Sequence, residues 1–152
     1  MGREDGHAIL SSTCFQLGIT GAQITRSFSL LIQHTGLTHK QAGLLAVVDT
    51  AQASSQREIA ARLGVAPSLV VSLVDQLASI GAVRRTRSRT DRRVQVIEIT
   101  DDGRQLLRLA TDAAKKLDTD LRKHLSHADL QALDRLLPAL LQASSVAADN
   151  RA

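Results

Sequence analysis

Six arginines, Arg84, Arg85, Arg87, Arg89, Arg92 and Arg93, fall within ten residues of this chain, and one acid, Asp91, stands among them. A guanidinium is permanently charged and forks onto two acceptor oxygens, so an all-arginine cluster suits phosphate. A merely solvated loop mixes Lys with Arg and balances their signs, and this one does neither. The formal net charge of +4 is also local. Residues 1–54 and 101–152 are each neutral, and the whole excess lies in 55–100, with eight basic and four acidic groups. That distribution points to a polyanionic partner.

Other reactive residues are few. Cys14 is the single cysteine, which excludes an internal disulfide and a multi-thiolate zinc site. It lies on an apolar seam, where a thiol also serves as a small hydrophobe, so a structural and a redox role both stay open. His124 and His127 are three apart, with no acid or thiol cluster at ligand spacing beside them, so no metal is expected. No nucleophile triad or Gly-rich phosphate loop is present, so no enzyme and no cofactor are expected. Phe15 and Phe28 are the only aromatic residues, too few for base-stacking platforms.

At 152 residues, 43% hydrophobic and 22% charged, the chain fits one globular domain over 1–152. No apolar run approaches the roughly 18–20 residues of a membrane span. The first residues carry acids and lead into no apolar stretch, unlike a secretory signal. A cytoplasmic protein is expected.

The elements that position the arginines follow from pattern. Leu10, Cys14, Leu17, Gly21, Ile24, Phe28 and Leu31 form a seam at heptad spacing, which predicts one long helix over 7–34. Thr38-x-x-Gln41 reads as a capping box before a helix with Ala42, Leu45, Ala46 and Val48 inward. Residues 50–54 read as a loop. Ser55-x-x-Glu58 opens a short helix with Ile59, Ala60 and Leu63 inward, stopped by Gly64. Pro67 opens the next, to about Ile80, on the stripe Val70, Leu73, Val74 and Leu77. Residues 82–87 and 94–100 read as strands joined by a polar tip. Thr100, with Asp101 and Asp102, caps a helix on Leu106, Ala110, Ala114, Leu117, Leu121 and Leu125. Ser126-x-x-Asp129 opens a last helix on Leu130, Leu133, Leu137, Leu140 and Leu141, which Pro138 should kink or break. Helix, tight turn, helix and basic hairpin suit a duplex: a helix fits the major groove, and a neighbouring arginine reaches the minor groove.

The stretch Asp91-Arg92-Arg93-Val94-Gln95-Val96-Ile97-Glu98-Ile99-Thr100-Asp101-Asp102-Gly103 closely resembles the wing signature of the MarR family: Asp-x-Arg, a strand, then Leu/Ile-Thr-x-x-Gly. Residues 58–65 and 73–77, ending at Gly81, resemble that family's DNA-reading helices. The resemblance implies a mainly α fold, a winged helix-turn-helix with a two-stranded β-hairpin wing and N- and C-terminal dimerisation helices. The DNA-binding lobe would span 36–103, and 7–34 with 104–147 would form the dimerisation lobe. It implies a homodimeric transcriptional regulator, usually a repressor, on a pseudo-palindromic operator of double-stranded DNA. By position, Pro67, Ser68, Leu69, Val71, Ser72 and Gln76 would face the major groove. Arg93 would be the wing arginine, with Asp91 placed to orient its guanidinium and Arg89 and Arg92 touching phosphate. Ser55 and Gln56 would meet the backbone at a helix start. Ala66 stands where the family's cap is Ser or Asp, and Leu69 and Val71 either touch thymine methyls or simply pack. A small-molecule effector would lie in a cleft lined by Leu17, Ile24, Phe28 and Leu45. Cys14 resembles the sensing thiol of the family's organic-peroxide branch, though this chain lacks that branch's tyrosines. A winged-helix protein-interaction module is the rival reading.

Overall fold

Three hydroxyl residues in a row, Ser11-Ser12-Thr13, interrupt what heptad spacing reads as one helix. The computed structural model describes residues 2–51 and 55–149. It has α1 at Gly2–Ser11 and α2 at Thr13–Ile32, not one helix over 7–34. Ser11 Oγ donates to the His7 and Ala8 carbonyls at 2.8 and 3.3 Å, and Ser12 Oγ donates to that of Ile9 at 2.7 Å. Such bonds offer the chain an alternative to the helical ladder. Ser12 turns extended, at φ −67 and ψ 143, before α2 begins. A 3-10 turn, Gln33–Thr35, ends on Gly36 at φ 75, a left-handed position that suits glycine.

Helix α3, His39–Ala51, starts with the predicted reciprocal cap: the Thr38 N–H donates to Gln41 Oε1 at 2.9 Å, and the Gln41 N–H to Thr38 Oγ1 at 3.2 Å. Ala42, Leu45 and Val48 are buried, but so is Leu44, and Ala46 is exposed. The helix touches α2, its two successors and the sheet, so it buries more than one stripe. Of the loop expected over 50–54, Thr50 belongs to α3, and 52–54 lie outside the described residues.

Helix α4 is Gln56–Leu63 and α5 is Pro67–Ser79, with Gly64 at φ 62 between them and Pro67 in the first turn. Val70, Leu73, Val74 and Leu77 are buried as the stripe predicts. The Ser55/Glu58 box forms in full. The Ser55 backbone N–H first, and its hydroxyl second, hold the Glu58 carboxyl below its usual range. A depressed folded value stabilises above the unfolded one and is lost as pH falls through the folded one. Ser55→Ala is therefore expected to lower the melting temperature by about 2–4 °C at pH 7. The difference from wild type should shrink in melts below the usual glutamate range.

Strands β1, Val83–Arg87, and β2, Gln95–Ile99, pair antiparallel, with Val83 opposite Ile99 and Arg87 opposite Gln95. Strand β1 starts one residue later than the expected 82–87, and β2 is one residue shorter at each end than the expected 94–100. Helix α6, Asp101–Arg122, begins where Thr100 Oγ1 accepts the Gly103 N–H at 3.1 Å and donates to the Gly81 carbonyl at 2.6 Å. Ile32, Leu44, Leu45, Val48, Ile59, Leu77 and Ile97 form the centre of the core, with Ala110 and Ala113 of α6 at its edge.

The chain divides into two compact units, one ending at Ala114 and the other starting at Lys115. In the second, Ser126 and Asp129 cap α7, His127–Asp149, and Arg122 bridges Asp118 at 3.0 Å and Asp134 at 2.5 Å. Of the kink or break expected at Pro138, the break is absent: helix α7 runs on through it. One missing ladder bond does not end a helix supported on both sides. Beyond Ala113 the predicted α6 stripe is uncovered: Ala114, Leu121 and Leu125 are exposed, and Leu117 is half-buried. Leu136, Leu137 and Leu140 of α7 are exposed as well.

Candidate nucleic-acid interface

The arginine-rich segment forms the hairpin and its tip. Cross-strand pairing puts Arg84 beside Glu98, at 2.9 Å, and Arg85 reaches Asp75 on α5. These two arginines fasten the wing to itself and to α5. Among the described residues no carboxylate pairs with Arg87, Arg89, Arg92 or Arg93. A crevice of about 600 Å³ behind the hairpin is lined by Arg84, Arg87, Arg89 and Arg104 against Asp49 and Glu98. Arg104 lies 3.5 Å from Asp49, so the acids there are already matched and Arg87 and Arg89 are in excess. Arg87 is legible in the sequence only as a member of the arginine cluster.

The tip is an ordered turn. The Val94 N–H donates to the Asp91 carbonyl at 3.0 Å, and the Ser88 N–H to that of Val94 at 2.9 Å. Asp91 Oδ1 accepts the Arg93 backbone N–H at 2.9 Å. The expected grip on the Arg93 guanidinium is replaced by this backbone bond, because a carboxylate two residues before an amide closes a local turn readily. Asp91 thus shapes the loop and leaves the guanidinium outward.

On α5, Pro67, Ser68, Val71, Ser72 and Gln76 are exposed, and Leu69 is half-buried against the core. Packing therefore accounts for Leu69, and Val71 remains the exposed apolar side chain of this face. Ala66 gives the helix no side-chain cap. Ser55 is engaged in its own box with Glu58, and Gln56 stands half-buried at the positive end of α4. Gln76 Oε1 accepts from Gln41 Nε2 at 2.8 Å, a contact 35 residues apart that local pattern could not reveal.

The expected effector cleft is only partly present. Leu45 is fully buried in the core, because α3 is enclosed on several sides, and it lines no cleft. Leu17 and Ile24 are exposed on α2. Phe28 does line a cavity of about 210 Å³, with His39, Ala42, Gly43, Leu107 and Ala110. Cys14 is exposed, its sulfur 3.4 Å from Ser12 Oγ. Among the described residues no cluster of three metal-ligating side chains occurs, and no helix is long and apolar enough to cross a membrane.

A MarR-family model matches residues 35–94, the stretch holding α3 to the wing tip. The chain is 33% identical over 105 residues to the HTH-type transcriptional regulator TtmR of Methylorubrum extorquens (strain PA1), covering 69% of this chain and 54% of that one. The match thus spans about half of that relative's length. It is also 33% identical over 121 residues to a protein of Thauera aromatica assigned to regulation of the hcr operon, covering 79% of this chain and 73% of that one. CouR of Rhodococcus jostii RHA1, solved with p-coumaroyl-CoA, superposes with a TM-score of 0.77 at 26% identity, over 87% of this chain and 93% of that one. CouR bound to a 23-mer DNA duplex superposes at 0.75 and 28% identity, over 88% and 92%. With its fold, its wing signature and these relatives, the chain belongs to the MarR family of transcriptional regulators.

Proposed function

We propose that this chain is a cytoplasmic, homodimeric repressor that binds a pseudo-palindromic duplex operator and is released by a small ligand. The observation that carries the reading is the wing: four arginines without acid partners among the described residues, on a hairpin fastened to α5 through Arg85 and Asp75. With α5 in the major groove, such a wing meets phosphates and the adjacent minor groove. The exposed face of α5 offers few polar groups, so phosphate contacts dominate and binding falls steeply with salt. A second copy would cover the leucines exposed on α7, which a monomer leaves in water. CouR's structures with duplex DNA and with p-coumaroyl-CoA support both halves of the reading. The Phe28 cavity, apolar and the size of an aromatic ring or two, is where a small ligand would lodge.

The test is a mobility-shift titration with the promoter next to the gene, repeated from 50 to 200 mM salt (a range over which six to ten phosphate contacts lose about 10³–10⁵ in affinity). A dimer should shift that duplex in preference to unrelated DNA. A monomer, or a protein that ignores duplex DNA in dilute buffer, would overturn the proposal and favour the interaction module. Cys14→Ser is expected to leave operator affinity unchanged. Peroxide that releases DNA from the wild type but not from this variant would move the thiol from the fold to the switch.

A further inference from the structure

The Gln41–Gln76 contact carries information about direction. A backbone N–H can only donate, and the Thr38 N–H donates to Gln41 Oε1 at 2.9 Å. The other end of the Gln41 amide is therefore Nε2, which donates to Gln76 Oε1 at 2.8 Å. That fixes the far end of Gln76 as Nε2 in turn, which lies 3.4 Å from Ser72 Oγ. Gln41 is 8% exposed, shielded between the start of α3 and α5, so water does not compete for its amide. Gln76 and Ser72 stand exposed, one turn apart on α5.

We infer that Gln41 is a positioning residue that sets base preference: a one-way chain of hydrogen bonds from the Thr38 amide holds Gln76 with its donors outward. The inference rests on the duplex-binding reading above. Without Gln41, the Gln76 side chain rotates its amide freely and presents oxygen or nitrogen as a base requires. With it, Gln76 offers Nε2, one N–H of which is donated to Ser72 Oγ and the other left for a base. Guanine presents N7 and O6 in the major groove and thymine O4, all acceptors, whereas cytosine presents the N4 donor. The chain thus favours guanine or thymine over cytosine opposite Gln76.

Gln41→Glu inverts the chain with almost no change of shape. Glutamate still caps α3 as the third residue of a capping box. Both of its oxygens accept, so Gln76 turns its nitrogen inward and its oxygen outward. Selection of a randomised operator library by wild type and variant, at pH 8, reads the result. At one pair of symmetry-related positions, the guanine or thymine preference should turn toward cytosine or adenine by about fivefold to tenfold. Preferences elsewhere and affinity for unrelated duplex should stay within twofold. Gln76→Glu, at an exposed position, places an acceptor outward directly and should give the same turn even if Gln41→Glu folds poorly. Unaltered preferences in a folded Gln41→Glu, or in Gln76→Glu where Gln41→Glu does not fold, overturn the inference while leaving duplex binding intact. A wild type that selects no duplex fails the functional proposal instead.

Discussion

Arg93→Ala is expected to weaken operator binding by about 10- to 100-fold, the range for losing one well-placed guanidinium contact. The side chain leaves from an ordered turn closed by Asp91, so the loop presents it without first having to order itself. No acid among the described residues competes for it. The variant should melt at the wild-type temperature and elute at the same size, because Arg93 is exposed and outside the core. If Arg93 touches phosphate, the slope of log affinity against log salt should fall by about one. If it reads a narrow minor groove, the loss should be larger on A·T-rich flanks. Titrations on two flank sequences at three salt concentrations separate these cases. Arg84→Ala is the contrast: its partner is Glu98, so it should change DNA affinity less.

Gly103→Ala should damage the fold rather than the DNA contact. A Cβ at Gly103 would sit 2.0 Å from the Ala82 carbonyl oxygen and 2.8 Å from Ile99 Cγ1. Backbone cannot swing away as a flexible side chain can, so α6 must shift from the base of the wing. Thr100 would lose its short bonds to Gly81 and Gly103 in that shift. The expected loss is about 3–5 kcal/mol, beyond ordinary overpacking, and a melting point lower by on the order of 10 °C. Thermal unfolding followed by circular dichroism tests it. Gly18→Ala is the control: that glycine lies in α2 with nothing within 4 Å of the added carbon. There the substitution should be neutral or stabilising by up to ~1 kcal/mol, from helix propensity alone.

What the sequence revealed were features settled within a few residues. The α5 stripe, the caps at Thr38, Ser55, Thr100 and Ser126, and the hairpin are local, and each formed within a residue or so of its expected place. The glycine of the wing signature was visible as a letter, but its reason, the passing Ala82 carbonyl, is tertiary. The break at Ser12 was missed because apolar spacing counts burial and ignores hydroxyls that bid for carbonyls. The apolar stripe placed Leu45 inward, where it lies; the resemblance alone put it in a cleft, and a resemblance does not show how many neighbours enclose a residue. Arg84 and Arg85 looked like equal members of a cluster until strand register and α5 supplied their acids. Gln76 read only as a groove-facing side chain, because its partner is 35 residues away.

The Thr100 hydroxyl is spent in both directions, into the turn before β1 and into the first turn of α6. Its own N–H adds a third bond, to the Ala82 carbonyl at 3.1 Å. Hairpin and helix are therefore joined at Thr100 by three hydrogen bonds. Leu107 and Ala110 of the same helix wall the Phe28 cavity, and Arg92 and Arg93 stand at the tip of the hairpin. Any shift in the start of α6 would therefore be passed on to the base of the wing rather than absorbed between the two.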